Sequence, residues 1–188
     1  LADVLQPIPE SLPSTFPQPG ADALELLTGY YAEPRLAGRV ARLVAHEGKL
    51  LIGYDIEHGT YRLEAVDDRR FRFSDFPNHE LVLEQGEGEP ATELTSYRDG
   101  MRLYQYRRLP AYTPSPKELA DLAGTYRPVE NDMPYEVKIR EAGLVFKSVK
   151  SREIALTAVA PDHFLGGGDR FTFTRDDDGR VTGMLMNS

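Results

Sequence analysis

Serine, lysine and tyrosine residues could form a nucleophilic active site, but their spacing here does not match one. A serine nucleophile with a lysine base one helical turn away needs S-x-x-K, and no serine has a lysine three residues later. Ser115 lies only two residues before Lys117, in a segment typical of a helix cap. The chain also lacks Y-x-N, K-T-G and G-x-S-x-G, and "HGT" at 58–60 is predicted as a loop between strands. We therefore expect no catalytic residues and no enzyme activity in this chain itself.

Histidine and aspartate residues are the candidate metal ligands. The histidines are His46, His58, His79 and His163. None is paired at the i, i+4 spacing of a helical zinc site, so we expect surface histidines. The D-D-D run at 176–178 lacks the alternate spacing and distal glutamate of a calcium loop, and indicates a solvated hairpin turn. The glycines at 166–168 precede a strand rather than a helix, so no phosphate site is expected. No metal and no cofactor are predicted.

Charge and composition narrow the classes of partner. The 188 residues carry a net charge of −8 with a pI of about 5.1, which disfavours nucleic acid and anionic membrane surfaces. No run approaches the roughly 18 apolar residues of a membrane-spanning helix. The absence of cysteine excludes disulfides, thiol catalysis and thiolate metal sites. An acidic, cysteine-free chain is compatible with an extracytoplasmic location, either periplasmic or secreted.

The N-terminal stretch is predicted to be a linker. Residues 1–21 contain five prolines, and proline at that density blocks helix and sheet and favours extended polyproline II. Because the chain begins with Leu1 and shows no signal peptide, we interpret it as a piece of something longer, with this linker leading from an upstream module. The alternative is an ordinary disordered or surface-hugging N-terminus.

Two similar openings, at residues 21–34 and 115–128, indicate a duplicated unit. In the second opening, Ser115 and Glu118 predict a capping box for a helix of about two turns, which Gly124 would end in a left-handed conformation. In the first opening, Asp22 and Glu25 predict the same cap and Gly29 the same stop. Each helix is expected to lead directly into a strand.

Further matches follow in order along the chain. The glycine pairs Gly29–Gly124 and Gly48–Gly143 are both separated by an offset of 95 residues. "LEAVDDRRF" matches "LTAVAPDHF" at an offset of 93 residues, and "ATEL" matches "VTGM" at an offset of 90. A slow drift of this kind is what short loop insertions in the first copy would produce. We therefore predict a first repeat at 22–110 and a second at 111–188.

Both repeats are predicted to be all-β after the helix. "YEVKIREAG" alternates apolar and polar residues with period two, so its counterpart "GRVARLVAHEG" is also interpreted as a strand. Seven or eight short antiparallel strands per repeat avoid bare edges best by closing into a small barrel. "MRLYQYRR" at 101–108 closes the first repeat, and the second reaches Ser188 without an equivalent, so its last strand is expected to be missing.

Three segments carry a family resemblance: "ELADLAGTYRP", "ALTAVAPDHF" and "FTFTRDDDGRVTGMLM". They resemble the small lipocalin-like β-barrel domains that lie C-terminal to bacterial serine hydrolases of the β-lactamase and D-aminopeptidase type. The resemblance implies two tandem lipocalin-like antiparallel barrels with a non-catalytic accessory role. Their partner would be a catalytic hydrolase domain upstream in the same chain, beside which the barrels pack and narrow access to its active site. The sequence leaves open whether the chain forms a homo-oligomer.

One loop and one alternative function complete the expectations. The segment "FSDFPNHE" at 73–80 distinguishes the first copy from the second, and Phe73, Phe76 and Pro77 form a candidate inter-domain contact loop. The alternative is that Phe76 folds back and plugs the end of the barrel. A free-standing protein that binds a small ligand or peptide is the other function considered, although interior Leu, Val, Ile and Phe are expected to fill barrels of this size.

Overall fold

The computed structural model describes residues 16–34, 39–54, 59–128, 133–141, 143–149 and 152–187. Residues 1–15 of the predicted linker and His58 lie outside these ranges. No helix within them is long and apolar enough to cross a membrane.

The first repeat is a closed antiparallel barrel that follows a short helix. The helix α1 spans Ala21–Leu27. The strands are β1 (Gly29–Ala32), β2 (Val40–His46), β3 (Lys49–Tyr54), β4 (Thr60–Ala65), β5 (Arg70–Phe73), β6 (His79–Glu84), β7 (Glu93–Arg98) and β8 (Met101–Arg108). Each strand pairs with the next, and β8 returns to β1 through the pairs Tyr31–Arg108 and Ala32–Arg107. That last pairing leaves this barrel without a free sheet edge.

The second repeat has the same order but a sheet of seven strands. The helix α2 spans Pro116–Leu122. The strands are β9 (Gly124–Tyr126), β10 (Tyr135–Arg140), β11 (Gly143–Ser148), β12 (Ile154–Ala160), β13 (His163–Gly166), β14 (Asp169–Arg175) and β15 (Val181–Asn187). The sheet curls into a nearly closed barrel. Two tandem antiparallel barrels, each preceded by a short helix, are therefore confirmed.

Period-two patterns explain which face of each strand is buried. Leu50 and Ile52 of β3 point into the first barrel, as do Phe71 and Phe73 of β5. The helix α1 closes one end of this barrel with Leu24 and Leu27, both almost fully buried. In the second barrel Leu119 and Leu122 of α2 do the same.

The predicted helix caps are right for α2 and wrong for α1. The Ser115 hydroxyl accepts from the Glu118 amide, and the Glu118 carboxylate accepts from the Ser115 amide at 2.7 Å. The first helix begins two residues earlier than predicted, with Gly20 as its N-cap and Asp22 inside its first turn, so Asp22 and Glu25 form no capping box. A glycine has no side chain to cap with, and the Gly20 carbonyl simply accepts the first helical bond from Leu24.

The predicted left-handed helix stop is also corrected. In α2 the chain leaves the helix through Ala123 in an extended conformation, and Gly124 is already the first residue of β9. Gly29 does have a positive φ of 141°, but as the first residue of β1 and after an extended Thr28. There a Cβ would approach the Arg108 guanidinium at 3.3 Å. Gly29 is therefore suited to a close approach rather than to a helix stop.

Outward-facing side chains pack the two barrels against each other. Val40 from the start of β2 is buried in one cluster with Val159 of β12 and Leu165 of β13. Tyr30, Ala32 and Leu109 lie partly buried against that cluster. The amide of Leu109, the residue after β8, donates to the Tyr30 carbonyl at 2.7 Å. The chain between the repeats is thus held against the first barrel.

Candidate functional site

A cavity of about 410 Å³ lies at the end of the first barrel opposite α1. We call this end the mouth. The residues that line the cavity are Arg39, Val40, Tyr54, Tyr61, Phe73, Phe76, His79, Ser96, Leu103, Tyr104 and Tyr106. The expected filling of the barrel by aliphatic side chains is therefore correct for the half near α1 and wrong for the mouth. Aromatic residues replace aliphatic ones there and leave space between their rings.

Strand periodicity places these side chains. Tyr54 lies two residues beyond the inward Ile52 on β3, and Tyr61 lies two residues before the inward Leu63 on β4. Two residues along a strand return to the same face, so both rings project into the barrel at its mouth. Ser96 of β7 lies directly opposite Tyr104 of β8 in the sheet register.

The aromatic rings form a tilted and edge-to-face wall rather than a stack. The Tyr61 ring lies 5.8 Å from the Phe73 ring and 5.8 Å from the Phe76 ring, both edge-on. On the other side, the Tyr106 ring lies 6.4 Å from Tyr54 and 6.3 Å from Tyr104. These separations are typical of favourable aromatic pairs, and they leave ring faces and edges available to a planar guest.

Among the described residues that line the cavity, Arg39 is the one arginine. The Arg39 guanidinium carbon lies 4.7 Å from the centre of the Tyr104 ring, within the range of a cation–π contact. A hydrogen bond with Tyr104 raises the pKa of Arg39, and the negative charge of Glu33 adds to the shift. Arg39 is exposed at the rim, so its guanidinium remains accessible from solvent. Within the described ranges, the residues that line the cavity include no carboxylate.

The phenols of Tyr54 and Tyr106 stay protonated over the whole physiological range. Burial, with a smaller contribution from Tyr106, raises the pKa of Tyr54 well above its ordinary value. Burial and the nearby Glu33 charge raise the pKa of Tyr106 to about 12. A neutral phenol both donates and accepts hydrogen bonds. The cavity therefore offers hydroxyl groups and one cation rather than a set of anions.

His79 and Ser96 lie in the same cavity but do not form a nucleophile and base. The pKa of His79 is lowered, first by burial and then by Arg98, so its imidazole is neutral at pH 7. Its Nε2 atom is buried and has no hydrogen-bond partner, so it makes no hydrogen bond to Ser96. Nucleophilic catalysis needs that bond. What remains is a buried polar atom without a hydrogen-bond partner, in a residue that lines the cavity.

The second barrel shows why the first has this cavity. Residues 74–78 connect β5 to β6, whereas only residues 167–168 connect the corresponding β13 and β14. The three additional residues account for the drop in offset from 93 before the loop to 90 after it. In the second barrel the short turn lies on Ile154, since a Cβ on Gly167 would come within 2.9 Å of its Cδ1 atom. The longer loop holds Phe76 at the rim and leaves the mouth open.

The loop residues that the sequence singled out lie in different environments. Phe73 is buried in the barrel core, Phe76 is 45% exposed at the rim, and Pro77 is intermediate. Phe76 packs beside Tyr61 and His79, with ring centres 5.8 Å apart in each case. It therefore lines the mouth without filling it. Whether it also contacts another domain stays a prediction.

The other candidate residues lie away from the cavity. His46 and His163 are exposed, as expected, whereas His79 was wrongly expected at the surface. The Asp176 carboxylate accepts from the amides of Asp178 and Arg180, which accounts for it within the predicted hairpin turn. The described part of the chain contains no group of three or more His, Asp or Glu residues placed to hold a metal ion.

The cavity could have been anticipated from two signals in the sequence. Tyr54 and Tyr61 fall on inward positions at strand ends, and Tyr104 and Tyr106 fall on inward positions within β8. The drop in repeat offset also marks the longer loop beside them.

Comparison with known proteins adds no family: no protein-family model matches the chain, and no curated protein matches its sequence.

Proposed function

We propose that this chain is a non-catalytic binding protein or binding region whose first barrel takes a small planar aromatic molecule at its mouth. The observation that carries the proposal is the cavity of about 410 Å³ walled by aromatic rings. Ligand sites in proteins are commonly concave, apolar and about 300–1,000 Å³ in volume, with a few polar groups that orient the guest. This cavity has that composition.

The polar groups favour an anionic ligand. Arg39 lies at the rim with its fork of donors accessible, and a guanidinium pairs well with a carboxylate or sulfonate. A cationic guest would be repelled by Arg39, although aromatic walls alone would suit it. The ligand class is therefore an aromatic carboxylate or sulfonate, with its ring among Tyr54, Tyr61 and Tyr106 and its acid group at Arg39.

The test uses a fluorescent aromatic anion and a matched pair of competitors. The 188-residue protein is titrated with 1-anilinonaphthalene-8-sulfonate, and bound dye is displaced with 2-naphthoate or the neutral 2-naphthylmethanol. We expect 2-naphthoate to compete about tenfold better, because a charge-assisted hydrogen bond contributes about 1.5–3 kcal/mol. Equal competition by the two compounds would show that Arg39 does not bind the acid group of the ligand.

Protein variants locate the dye. Arg39→Gln should abolish the preference for the anion, and Ser96→Leu should weaken both competitors because it fills the cavity. Arg42→Gln is the matched control, since Arg42 also lies over a tyrosine ring, 5.6 Å from Tyr30, but outside the cavity. Circular dichroism checks that each variant is folded. Dye binding that survives both Arg39→Gln and Ser96→Leu unchanged would place the dye elsewhere and overturn the proposal.

A second candidate function is an accessory region of a serine hydrolase or peptidase, shaping access to a catalytic domain upstream. The observation that favours it is Phe76, an aromatic residue 45% exposed on a loop that the second barrel lacks. An exposed aromatic side chain on a rigid barrel rim is suited to contact with a neighbouring domain. An extracytoplasmic location belongs to this candidate as well.

The coding sequence upstream of Leu1 tests the second candidate. An in-frame domain with S-x-x-K and Y-x-N would support it, and hydrolysis could then be compared between Phe76 and Phe76→Ala forms of the whole protein. A start codon directly before Leu1 would overturn it. Neither result affects the dye experiment, so the two candidates are tested separately.

A further inference from the structure

One inward-facing residue at the mouth is both small and polar. Strand β7 turns Leu94 inward, where it is fully buried, and two residues later Ser96, which is 7% exposed. Because two residues along a strand return to the same face, an apolar side chain would ordinarily continue the barrel interior at position 96. Ser96 places a hydroxyl group there instead, and it is the smallest of the described residues that line the cavity.

The hydroxyl of Ser96 is available for a hydrogen bond. Within the described ranges, its side chain has no hydrogen-bond partner. Most buried polar side chains in proteins are paired, so an unpaired hydroxyl in a buried residue that lines a cavity calls for an explanation. A serine hydroxyl both donates and accepts, and it can therefore pair with an oxygen-bearing group on a guest.

Ser96 lies beside the same ring that Arg39 contacts. It is directly opposite Tyr104 in the register of β7 and β8, a position in which the Cβ atoms of two residues are about 4.5–5.5 Å apart. The Arg39 guanidinium carbon lies 4.7 Å from the centre of the Tyr104 ring. The cation and the hydroxyl are therefore on one side of the cavity, next to a shared tyrosine.

The other side of the cavity is more apolar. Strands β4 and β5 lie across the closed barrel from β8 and β1, and they contribute Tyr61 and Phe73. Phe76 follows on the adjacent loop, and its ring and that of Phe73 both lie edge-on to Tyr61. A guest whose acid group binds Arg39 therefore brings the atoms next to that group toward Ser96 and its far end toward these rings.

We propose that the guest is an aromatic acid with a hydroxyl group on the ring carbon next to its acid group, and that Ser96 selects for this hydroxyl. The inference rests on the proposed function, because it concerns the same cavity and the same aromatic anion. Arg39 binds the acid group, and the Ser96 hydroxyl forms a hydrogen bond with the adjacent hydroxyl of the guest. A site that pairs with a hydroxyl disfavours the analogue without it, since its own polar group then stays unpaired.

Three related naphthoates test the inference on the 188-residue protein by isothermal titration calorimetry. They are 2-naphthoate, 3-hydroxy-2-naphthoate and 6-hydroxy-2-naphthoate. The 3-hydroxy compound should bind about fivefold more tightly than 2-naphthoate, because it gains one neutral hydrogen bond. The 6-hydroxy compound should bind no more tightly than 2-naphthoate, because its hydroxyl lies at the end of the ring system far from the acid group.

Two variants assign the hydrogen bond to Ser96. Ser96→Ala removes the hydroxyl without filling the cavity, so the advantage of the 3-hydroxy compound should disappear while the affinity for 2-naphthoate changes by less than about twofold. Thr95→Val is the matched control, since the adjacent Thr95 is 9% exposed and also loses a hydroxyl but does not line the cavity. It should leave the advantage intact. Circular dichroism checks that both variants are folded.

The outcomes separate this inference from the proposed function. If 2-naphthoate binds and the 3-hydroxy compound binds no better, the site takes aromatic anions but Ser96 does not select among them, and the inference is wrong. An advantage that persists in Ser96→Ala, or tighter binding of the 6-hydroxy compound than of the 3-hydroxy compound, would also overturn it. If none of the three naphthoates binds, the proposed function fails together with the inference.

Discussion

Equivalent tyrosines follow the two helices, and their surroundings differ. Tyr31 is fully buried and donates to the Leu27 carbonyl at 2.8 Å, and Tyr126 donates to the Leu122 carbonyl at 2.7 Å but is only half-buried. The local hydrogen bond is the same in both repeats. What differs is β8, which covers the first tyrosine and has no counterpart among the described residues of the second barrel.

The two barrels also differ in the loop at their mouths. The first barrel is closed around its wall and open at its mouth, where the loop at 74–78 lines the cavity with Phe76 without filling it. The second has seven strands among the described residues, and its short turn at 167–168 lies against Ile154. The two repeats therefore share one order of helix and strands and differ in the length of the loop at the mouth.

The largest expected effect is a core truncation made at the same helix position in both barrels. Leu27→Ala should lower the free energy of unfolding of the first barrel by about 4 kcal/mol, and Leu122→Ala that of the second by about 2 kcal/mol, because an open wall can relax into the cavity. Hydrogen exchange under denaturant reports each barrel separately. Asp22→Ala and Lys117→Ala, at exposed helix positions, calibrate the baseline. Equal losses of stability in the two variants would show that closure of the barrel does not change the cost of the truncation.

The next effect tests the closing strand itself. Arg108→Ala removes hydrogen bonds to the Leu26, Ala91 and Thr28 carbonyls, and we expect the first barrel to lose about 2–3 kcal/mol of stability. The adjacent Arg107→Ala removes only an exposed ion pair with Glu93 at 3.3 Å and should cost less than about 1 kcal/mol. Urea unfolding of the two variants measures the difference, and similar losses would contradict the role given to Arg108.

A smaller effect separates the two equivalent tyrosines. Tyr31→Phe leaves the buried Leu27 carbonyl without its hydroxyl donor and should cost about 1.5 kcal/mol. Tyr126→Phe should cost about 0.5 kcal/mol, since the hydrogen bond of Tyr126 is only partly buried and water can replace the hydroxyl. Exchange of amides in β1 and β9 gives both values. A larger loss at Tyr126 would mean that the second site is not hydrated.

The smallest effect is a dependence on pH confined to the first barrel. Burial holds the pKa of His79 below its ordinary value of 6.5, so the unfolded chain binds this proton more readily than the folded one. Above pH 6.5 His79 is neutral in both states, so it does not lower the free energy of unfolding. As the pH drops from 6.5 toward the folded-state pKa, the unfolded chain binds the proton first and the free energy of unfolding falls. His79→Phe should flatten this part of the stability profile measured by urea unfolding. His163→Phe, at an exposed site of the second barrel, should not, and an unchanged slope in His79→Phe would contradict the assignment.

Much of the fold follows from local patterns in the sequence. Strand β10 alternates Tyr135, Val137 and Ile139 with charged residues, and the repeat carries that assignment over to β2, where helical spacing competes. Such patterns suffice because side chains alternate faces along every strand. The caps were less predictable: an acidic residue at position 22 suits a cap or a first turn equally well, and only the path of the chain decides.

The alternation of residues along the strands does not predict the cavity. Periodicity places Tyr54 and Tyr61 inside the barrel, but whether their rings meet or leave a space depends on strand stagger and on the loop beside them. The same holds for His79, whose burial depends on Phe73 and Phe76 packing around it. The change in repeat offset indicates that a longer loop lies beside the mouth of the first barrel. The volume of the cavity depends on the positions of the side chains, which the sequence does not give.

The contact between Arg108 and the end of α1 also bears on the order of folding. It joins Leu26 to a residue 82 positions later, and the β1–β8 pairs span nearly the same separation. Every other strand pair in the described part of the chain joins strands that are neighbours in the sequence. Since loop-closure entropy makes distant contacts slow to form, the hairpins should assemble first and the seam between β8 and β1 last. During synthesis the first barrel therefore stays unsealed until its last strand has left the ribosome, and its helix is locked in place only then.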